Sequence, residues 1–253
     1  MPGAAAPALR TVRAVKKLIP LPIRRALLPL VRRVRTVRRT LGPKKTLDAI
    51  GIGTGTDKSS RYHDYLNVYE HAFQNLRTQK FQMVEIGVHQ GASIRMWEEF
   101  FPRASLIGVD ISTKCKKYAT DRVSIVIGDQ SSQEFLDSFG ASIDPTIVLD
   151  DGSHVWSHQI ETFKTLFPIL RPGGFYVIED IHTSFSEPYA KTYGSPGGQT
   201  AYDFIANIAR GITAHELADP AIDDFDTYAR NNIESLVFLK HSVLIQKSLE
   251  ARG

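Results

Sequence analysis

Thr146-Ile147-Val148-Leu149-Asp150-Asp151-Gly152-Ser153-His154 is an apolar run that ends in two acids, a glycine and a histidine, and Phe175-Tyr176-Val177-Ile178-Glu179-Asp180-Ile181-His182 repeats the pattern. Short apolar runs bounded by polar turns are the mark of strands buried on both faces of a parallel sheet. Between them Ile160, Phe163, Leu166, Phe167 and Leu170 recur at helical spacing over Val155–Leu170, and Arg171-Pro172-Gly173-Gly174 stops the helix. This is one strand-helix-strand unit, and the carboxyl ends of its strands share one rim. Asp151, Glu179 and Asp180 are expected to converge there. Three carboxylates together repel unless a cation sits among them, and an all-oxygen set suits Mg²⁺.

Upstream, Phe81-Gln82-Met83-Val84-Glu85-Ile86-Gly87 predicts the first strand, Val88–Gly91 its turn and Ala92–Phe101 the first helix. Ser105–Val109 predicts a second strand that ends at Asp110, and Arg122–Ile127 a third that ends at Gly128-Asp129-Gln130. A glycine-rich turn after strand one approaches a cofactor chain, and an acid ending strand two accepts hydrogen bonds from ribose hydroxyls. The pattern Glu85-x-Gly87-x-x-x-Gly91 lacks the spacing that admits a pyrophosphate, which favours S-adenosylmethionine over a dinucleotide. Asp129 and Gln130 are placed to meet an adenine edge.

The rest of the chain frames this sheet. Gly51, Gly53 and Gly55 suggest a flexible connection, and Tyr62, Tyr65, Leu66, Tyr69, Phe73 and Leu76 predict a helix with an apolar stripe. A helix is expected over Ser131–Phe139. Residues 183–200 read as a loop over the rim, Tyr202–Ile212 as a helix and Leu217–Asn232 as a polar segment of a lid. Ile233–Leu239 and Val243–Lys247 predict a β-hairpin that completes the sheet. The fold class is therefore α/β: a doubly wound, mostly parallel sheet with a C-terminal antiparallel hairpin.

The 253 residues carry a net charge of +4, unevenly placed. Thirteen of the 31 Lys and Arg fall in residues 1–45, which contain no acid, so the remainder holds eighteen basic against 27 acidic side chains. The basic character belongs to an N-terminal extension, residues 1–45, ahead of a domain over 46–253, and nucleic acid is not an expected partner. The apolar pieces of the extension are too short to span a bilayer; they fit a solvated arm or an interfacial helix on an anionic membrane. One cysteine, Cys115, excludes an internal disulfide and points to a reducing compartment. Set in Lys114-Cys115-Lys116-Lys117, it reads as part of a surface turn whose lysines would lower its pKa.

With Glu85-Ile86-Gly87, Asp110, Asp129-Gln130, the Asp-Asp-Gly-Ser-His cluster and the hairpin in that order, the chain resembles class I S-adenosylmethionine methyltransferases. Gly55-Thr56-Asp57-Lys58, Asp151-Gly152-Ser153-His154 and Glu179-Asp180 are similar, more narrowly, to the metal-dependent sugar O-methyltransferases. Those include the mycinamicin and tylosin deoxysugar enzymes and enzymes of mycobacterial glycolipids and methylmannose polysaccharide. The resemblance covers roughly residues 50–248. It implies Asp151, Glu179 and Asp180 as Mg²⁺ ligands, His154 as general base, and Thr56, Glu85, Gly87, Ser93, Asp110, Asp129 and Gln130 around the cofactor. It implies an enzyme acting on a sugar, oligosaccharide or glycolipid hydroxyl; absent targeting and the intracellular cofactor give a cytoplasmic expectation, the pattern of residues 1–45 peripheral membrane contact, and a homo-oligomer is a further expectation. Two other functions compete: methylation of a catechol-like diol, and a non-catalytic, membrane-tethered glycolipid-binding protein. Asp150, His158 and His182 compete for roles at the rim, and Lys58 and His63 have none assigned.

Overall fold

The structure is a computed structural model and describes residues 45–194, 198–214 and 223–251. The expected basic extension, with its interfacial helix, lies outside them. From Thr46 onward the chain forms one compact unit.

Five parallel strands build the centre: β1 (Gln82–Ile86), β2 (Ser105–Asp110), β3 (Val123–Ile127), β4 (Ile147–Asp150) and β5 (Phe175–Ile178). The hairpin β6 (Ile233–Phe238) and β7 (Val243–Lys247) joins through β7, antiparallel to β5, giving the order β3-β2-β1-β4-β5-β7-β6 among the described residues. Side chains alternate between the two faces, as strand geometry requires. Met83, Leu106, Ile147, Leu149 and Val177 face α1 (Leu47–Thr54), α2 (Leu66–Phe73) and α3 (Ala92–Phe100). Val84, Ile86, Val148, Tyr176 and Ile178 face α4 (Gln133–Gly140), α5 (Trp156–Leu166) and, beyond a short α6 (Glu187–Tyr193), α7 (Ala201–Ala214) and α8 (Asp224–Asn232). The result is a helix-sheet-helix sandwich.

The chain reverses its winding between β1 and β4, and there the crevice opens at the carboxyl ends of the strands. The register aligns Ile86 with Asp150, and Asp150 with Ile178. Gly87, Asp151 and Glu179 therefore leave the sheet side by side, each tied to its neighbour: Asp151 N donates to Ile86 O and Glu179 N to Asp150 O, both at 2.9 Å. At Gly87, φ is +92°, and a Cβ there would lie 1.9 Å from the Asp151 carbonyl oxygen. Only glycine permits that approach.

Several segments differ from expectation. Gly51 and Gly53 lie inside α1, capped by Thr46, and only Gly55 takes a left-handed conformation, as its C-cap. The connection is thus an ordered helix end. The helix expected from Tyr62 starts at Leu66, because residues 59–63 close a turn on hydrogen bonds to Ser59 and Asp57. The rim segment 183–200 contains a 3₁₀ turn, Ile181–Phe185, and α6. Within 217–232, residues 224–232 form α8, whose N-cap Asp223 accepts from Asp226 N; residues 217–222 lie outside the described residues. Cys115 sits in a 3₁₀ turn and is 2% exposed, and burial beside Asp110 pushes its thiol up to about 11. It is an inert structural thiol, and its flanking lysines do not outweigh that environment. No helix among the described residues is long and apolar enough to cross a membrane.

Candidate active site

A cleft of about 530 Å³ opens where β1 and β4 diverge, lined in part by Gly87, Asp110, Asp129, Asp151, His154 and Asp180. A smaller one of about 250 Å³, lined by Thr56, Ser93 and the turn after Gly87, shares Gly87 and Asp151 with it. The two form one trough along the switch point.

The residues assigned to a cofactor divide into those that face the trough and those that build it. Asp110 faces it, and its carboxylate also holds the turn after β1: Oδ2 accepts from Val88 N at 3.0 Å and His89 N at 2.8 Å, and Oδ1 from Ser112 N at 2.7 Å. These bonds outweigh partial burial and lower its pKa. An acid at this position thus has a structural reason as well as a ligand-binding one. Asp129 lies exposed at the mouth, its carboxylate accepting from Ser131 N and Oγ.

Gln130 lines the trough and also builds it, whereas Glu85 lies away from it. Gln130 Nε2 lies 2.8 Å from both oxygens of Asp150, and its Oε1 accepts from Ser153 N at 3.0 Å, so its amide braces the turn after β4 at the wall of the cleft. Glu85 is fully buried and does not line the trough; Trp97 Nε1 donates to its Oε1 at 3.1 Å, and burial pushes its pKa up to about 7. Asp150 is also fully buried, pushed to about 7, and supports the turn.

Lys58 occupies the middle of the acidic group. Its Nζ donates to Asp151 Oδ2 at 2.5 Å and to Glu179 Oε2 at 2.6 Å, with the side chain 1% exposed. Burial works against the ammonium, but the carboxylates of Asp151, Glu179 and Glu85 hold it protonated well above the ordinary lysine range. Glu179 is 2% exposed and also accepts from Tyr69 Oη at 3.0 Å, so its carboxylate faces the protein. Nothing in the local pattern of the sequence marks this contact, which spans 93 residues to Asp151.

Asp151 and Asp180 are half-buried and open to the cleft, and with His154 they bring three donor atoms within 4.8 Å of one another. His154 Nε2 lies 3.6 Å from Asp180 Oδ2, and its Nδ1 is buried without a hydrogen-bond partner. Both residues have left-handed backbones, with φ of 58°. Strain of this kind collects at functional sites and persists only where the surroundings impose it. His158 Nδ1 is bonded to Ser153 Oγ at 2.8 Å, which places it one turn into α5.

The charges fit a divalent cation. The open pair Asp151 and Asp180 supplies the one or two carboxylates that Mg²⁺ takes alongside waters and a substrate oxygen. On the far side of Asp180, Oδ1 accepts from Tyr65 Oη at 3.3 Å and lies 3.7 Å from His182 Nδ1. His63 and His241 stand in the same corner, and burial together with His182, His63 and Lys240 lowers the pKa of His241.

Residues 84–181 match the family described as a methyltransferase domain. The chain is 38% identical over 244 residues to mycinamicin VI 2''-O-methyltransferase of Micromonospora griseorubida, covering 84% of this chain and 59% of that one. Over 174 residues it is 36% identical to 8-demethyl-8-alpha-L-rhamnosyl tetracenomycin-C 2'-O-methyltransferase of Streptomyces olivaceus, covering 66% and 45%. A methyltransferase from the mycinamycin biosynthetic pathway, solved in complex with Mg, SAH and mycinamycin VI, superposes with a TM-score of 0.70 at 30% identity, over 81% of this chain and 55% of that one. The chain spans about half the length of the curated relatives it matches.

Proposed function

We propose that the chain, similar over about half their length to sugar O-methyltransferases and carrying a methyltransferase domain match over residues 84–181, is an S-adenosylmethionine- and metal-dependent sugar O-methyltransferase that transfers a methyl group to a hydroxyl of a deoxyhexose carried on a larger acceptor. The single observation that supports this best is the trio Asp151, His154 and Asp180, which opens onto a cleft continuous with the turn after β1. S-adenosylmethionine supplies an electrophilic methyl on sulfur, and a divalent cation on Asp151 and Asp180 favours the ionised form of a bound hydroxyl.

Each of the chain's own groups has a task. Gly87 lets the backbone approach the methionine end, near Thr56 and Ser93, and Asp110 holds the ribose end. His154 Nε2 takes the hydroxyl proton as the oxygen attacks the methyl carbon and the carbon–sulfur bond breaks. The products are the methyl ether, S-adenosylhomocysteine and a proton. General-base help contributes ~10² to 10⁴-fold in rate, and alignment of oxygen, methyl and sulfur supplies the rest. Lys58 fixes the orientation of Asp151 and Glu179, leaving Asp180 and the outer face of Asp151 for the cation.

The test is transfer of labelled methyl to a panel of rhamnosyl and other 6-deoxyhexosyl glycosides, with Mg²⁺ or with EDTA. Metal-dependent transfer to glycosides supports the proposal; transfer to catechols alone overturns the sugar assignment. Peripheral membrane contact is tested by flotation with anionic liposomes, where the full chain is expected to float and residues 46–253 to stay in solution.

A further inference from the structure

Outside the proposed reaction, three half-buried histidines from distant parts of the chain meet at one corner of the rim: His63 before α2, His182 after β5 and His241 in the β6–β7 turn. His63 Nδ1 and His241 Nδ1 face each other at 3.4 Å, and one ring nitrogen of each histidine and a carboxylate oxygen of Asp180 all lie within 4.8 Å of one another. Two nitrogens bound to one tetrahedral ion at 2.0–2.1 Å stand about 3.4 Å apart. The two imidazoles already have that separation.

We propose that His63, His241 and Asp180 form a second metal site, adjoining the Asp151–Asp180 carboxylate pair and sharing Asp180 with it, that takes a borderline divalent transition ion such as Zn²⁺. The donor set of two imidazoles and one carboxylate, with a fourth position for water, is one that zinc accepts and Mg²⁺ does not favour. The supports are in place: the His63 ring stacks on Tyr65 at 5.2 Å between centroids, and the His241 ring lies tilted by 33° against His182 at 4.3 Å. His182 Nδ1 is buried without a hydrogen-bond partner and stands 3.7 Å from Asp180 Oδ1, where a small shift on metal binding would let it serve the carboxylate as an outer partner. Asp180 divides its oxygens: Oδ2 faces His154, and Oδ1 faces Tyr65 and His182. One carboxylate can therefore serve both sites at once.

Tag-free full-length protein is dialysed against Zn²⁺ in excess Mg²⁺, bound zinc is counted per chain, and the Co²⁺ form is followed by its visible absorption. The wild type is expected to keep one zinc, with a Co²⁺ spectrum of imidazole–carboxylate ligation. His63→Ala and His241→Gln are each expected to weaken binding at least tenfold, and His182→Ala about tenfold, the usual effect of an outer partner. Asp151→Asn, His154→Ala and His71→Ala, in the exposed part of α2, are expected to keep the ion. No zinc on the wild type, its retention in both His63→Ala and His241→Gln, or its loss in Asp151→Asn would overturn the proposal. His63 lies in a half-exposed turn outside the sheet, so His63→Ala keeps the fold even if His241→Gln does not.

Discussion

Lys58 is the residue on which the electrostatics of the rim depend. Replacing it by Met leaves Asp151 and Glu179 facing each other without a counter-charge, and removing one partner of a buried ion pair costs about 3–5 kcal/mol. Urea unfolding at neutral pH is expected to show that loss for Lys58→Met, and a loss near zero would mean that the two carboxylates do not rely on the ammonium. Because the Lys58 pKa is raised, its contribution is complete below the ordinary lysine value of about 10.4 and is lost only as pH rises beyond it. Glu85 acts in the same direction from the acid side. Its folded value, about 7, lies above the unfolded value near 4.3, so the fold binds the extra proton and loses stability as pH rises from about 4 through 7. Glu85→Gln keeps the acceptor for Trp97 and is expected to flatten that slope in urea midpoints, leaving the part due to the other buried carboxyls, Asp150 and Glu179. An unchanged slope would remove Glu85 from the pH dependence. Acids at strand ends were visible in the sequence as acids; which of them open to the cleft was not, since Glu85 and Glu179 turn inward on contacts to Trp97, Lys58 and Tyr69 that join distant segments.

Strands and turns carry the positioning. The turn after β1 packs its Gly87 against the carbonyl of Asp151, and a methyl group there has nowhere to go. Gly87→Ala is expected to cost at least about 2 kcal/mol, from a left-handed backbone and a forced shift of β4. Calorimetry is also expected to show S-adenosylhomocysteine binding weakened more than tenfold; unchanged binding would place the cofactor elsewhere. All seven strands were legible, because buried parallel strands are continuous apolar runs closed by turn residues, and the hairpin alternates around a short turn. The helices α6 and α8 were not. Glu187–Tyr193 is short and exposed with Pro188 in its first turn, and Asp224–Asn232 is mostly polar, offering only Phe225, Tyr228 and Ala229 to the core and held also by its Asp223 cap and the Arg230–Asp226 pair. Caps and ion pairs of that kind do not produce the periodicity that marks a helix in sequence.

At the scale of the molecule, the topology brings residues from the two acidic runs, the glycine-rich turn and the segment before α2 to one edge of a sheet. The order of the motifs along the chain was enough to see the first three converge, because a parallel sheet puts every strand's carboxyl end on the same rim. The approach of Lys58, His63 and His241 to that rim depends on how α2 and the final hairpin pack, which no local pattern encodes. The negative balance of residues 46–253 suits a site that concentrates cations and leaves neutral sugars as acceptors. The most direct measurement is labelled methyl transfer to a 6-deoxyhexosyl glycoside by wild type, His154→Ala and Asp151→Asn, with S-adenosylhomocysteine binding measured on the same preparations. Transfer that needs a divalent cation and falls at least 10²-fold in both variants, while the product analogue still binds, is the expected result. Undiminished transfer in EDTA, or by His154→Ala, would contradict a carboxylate-held cation and a histidine base at this rim.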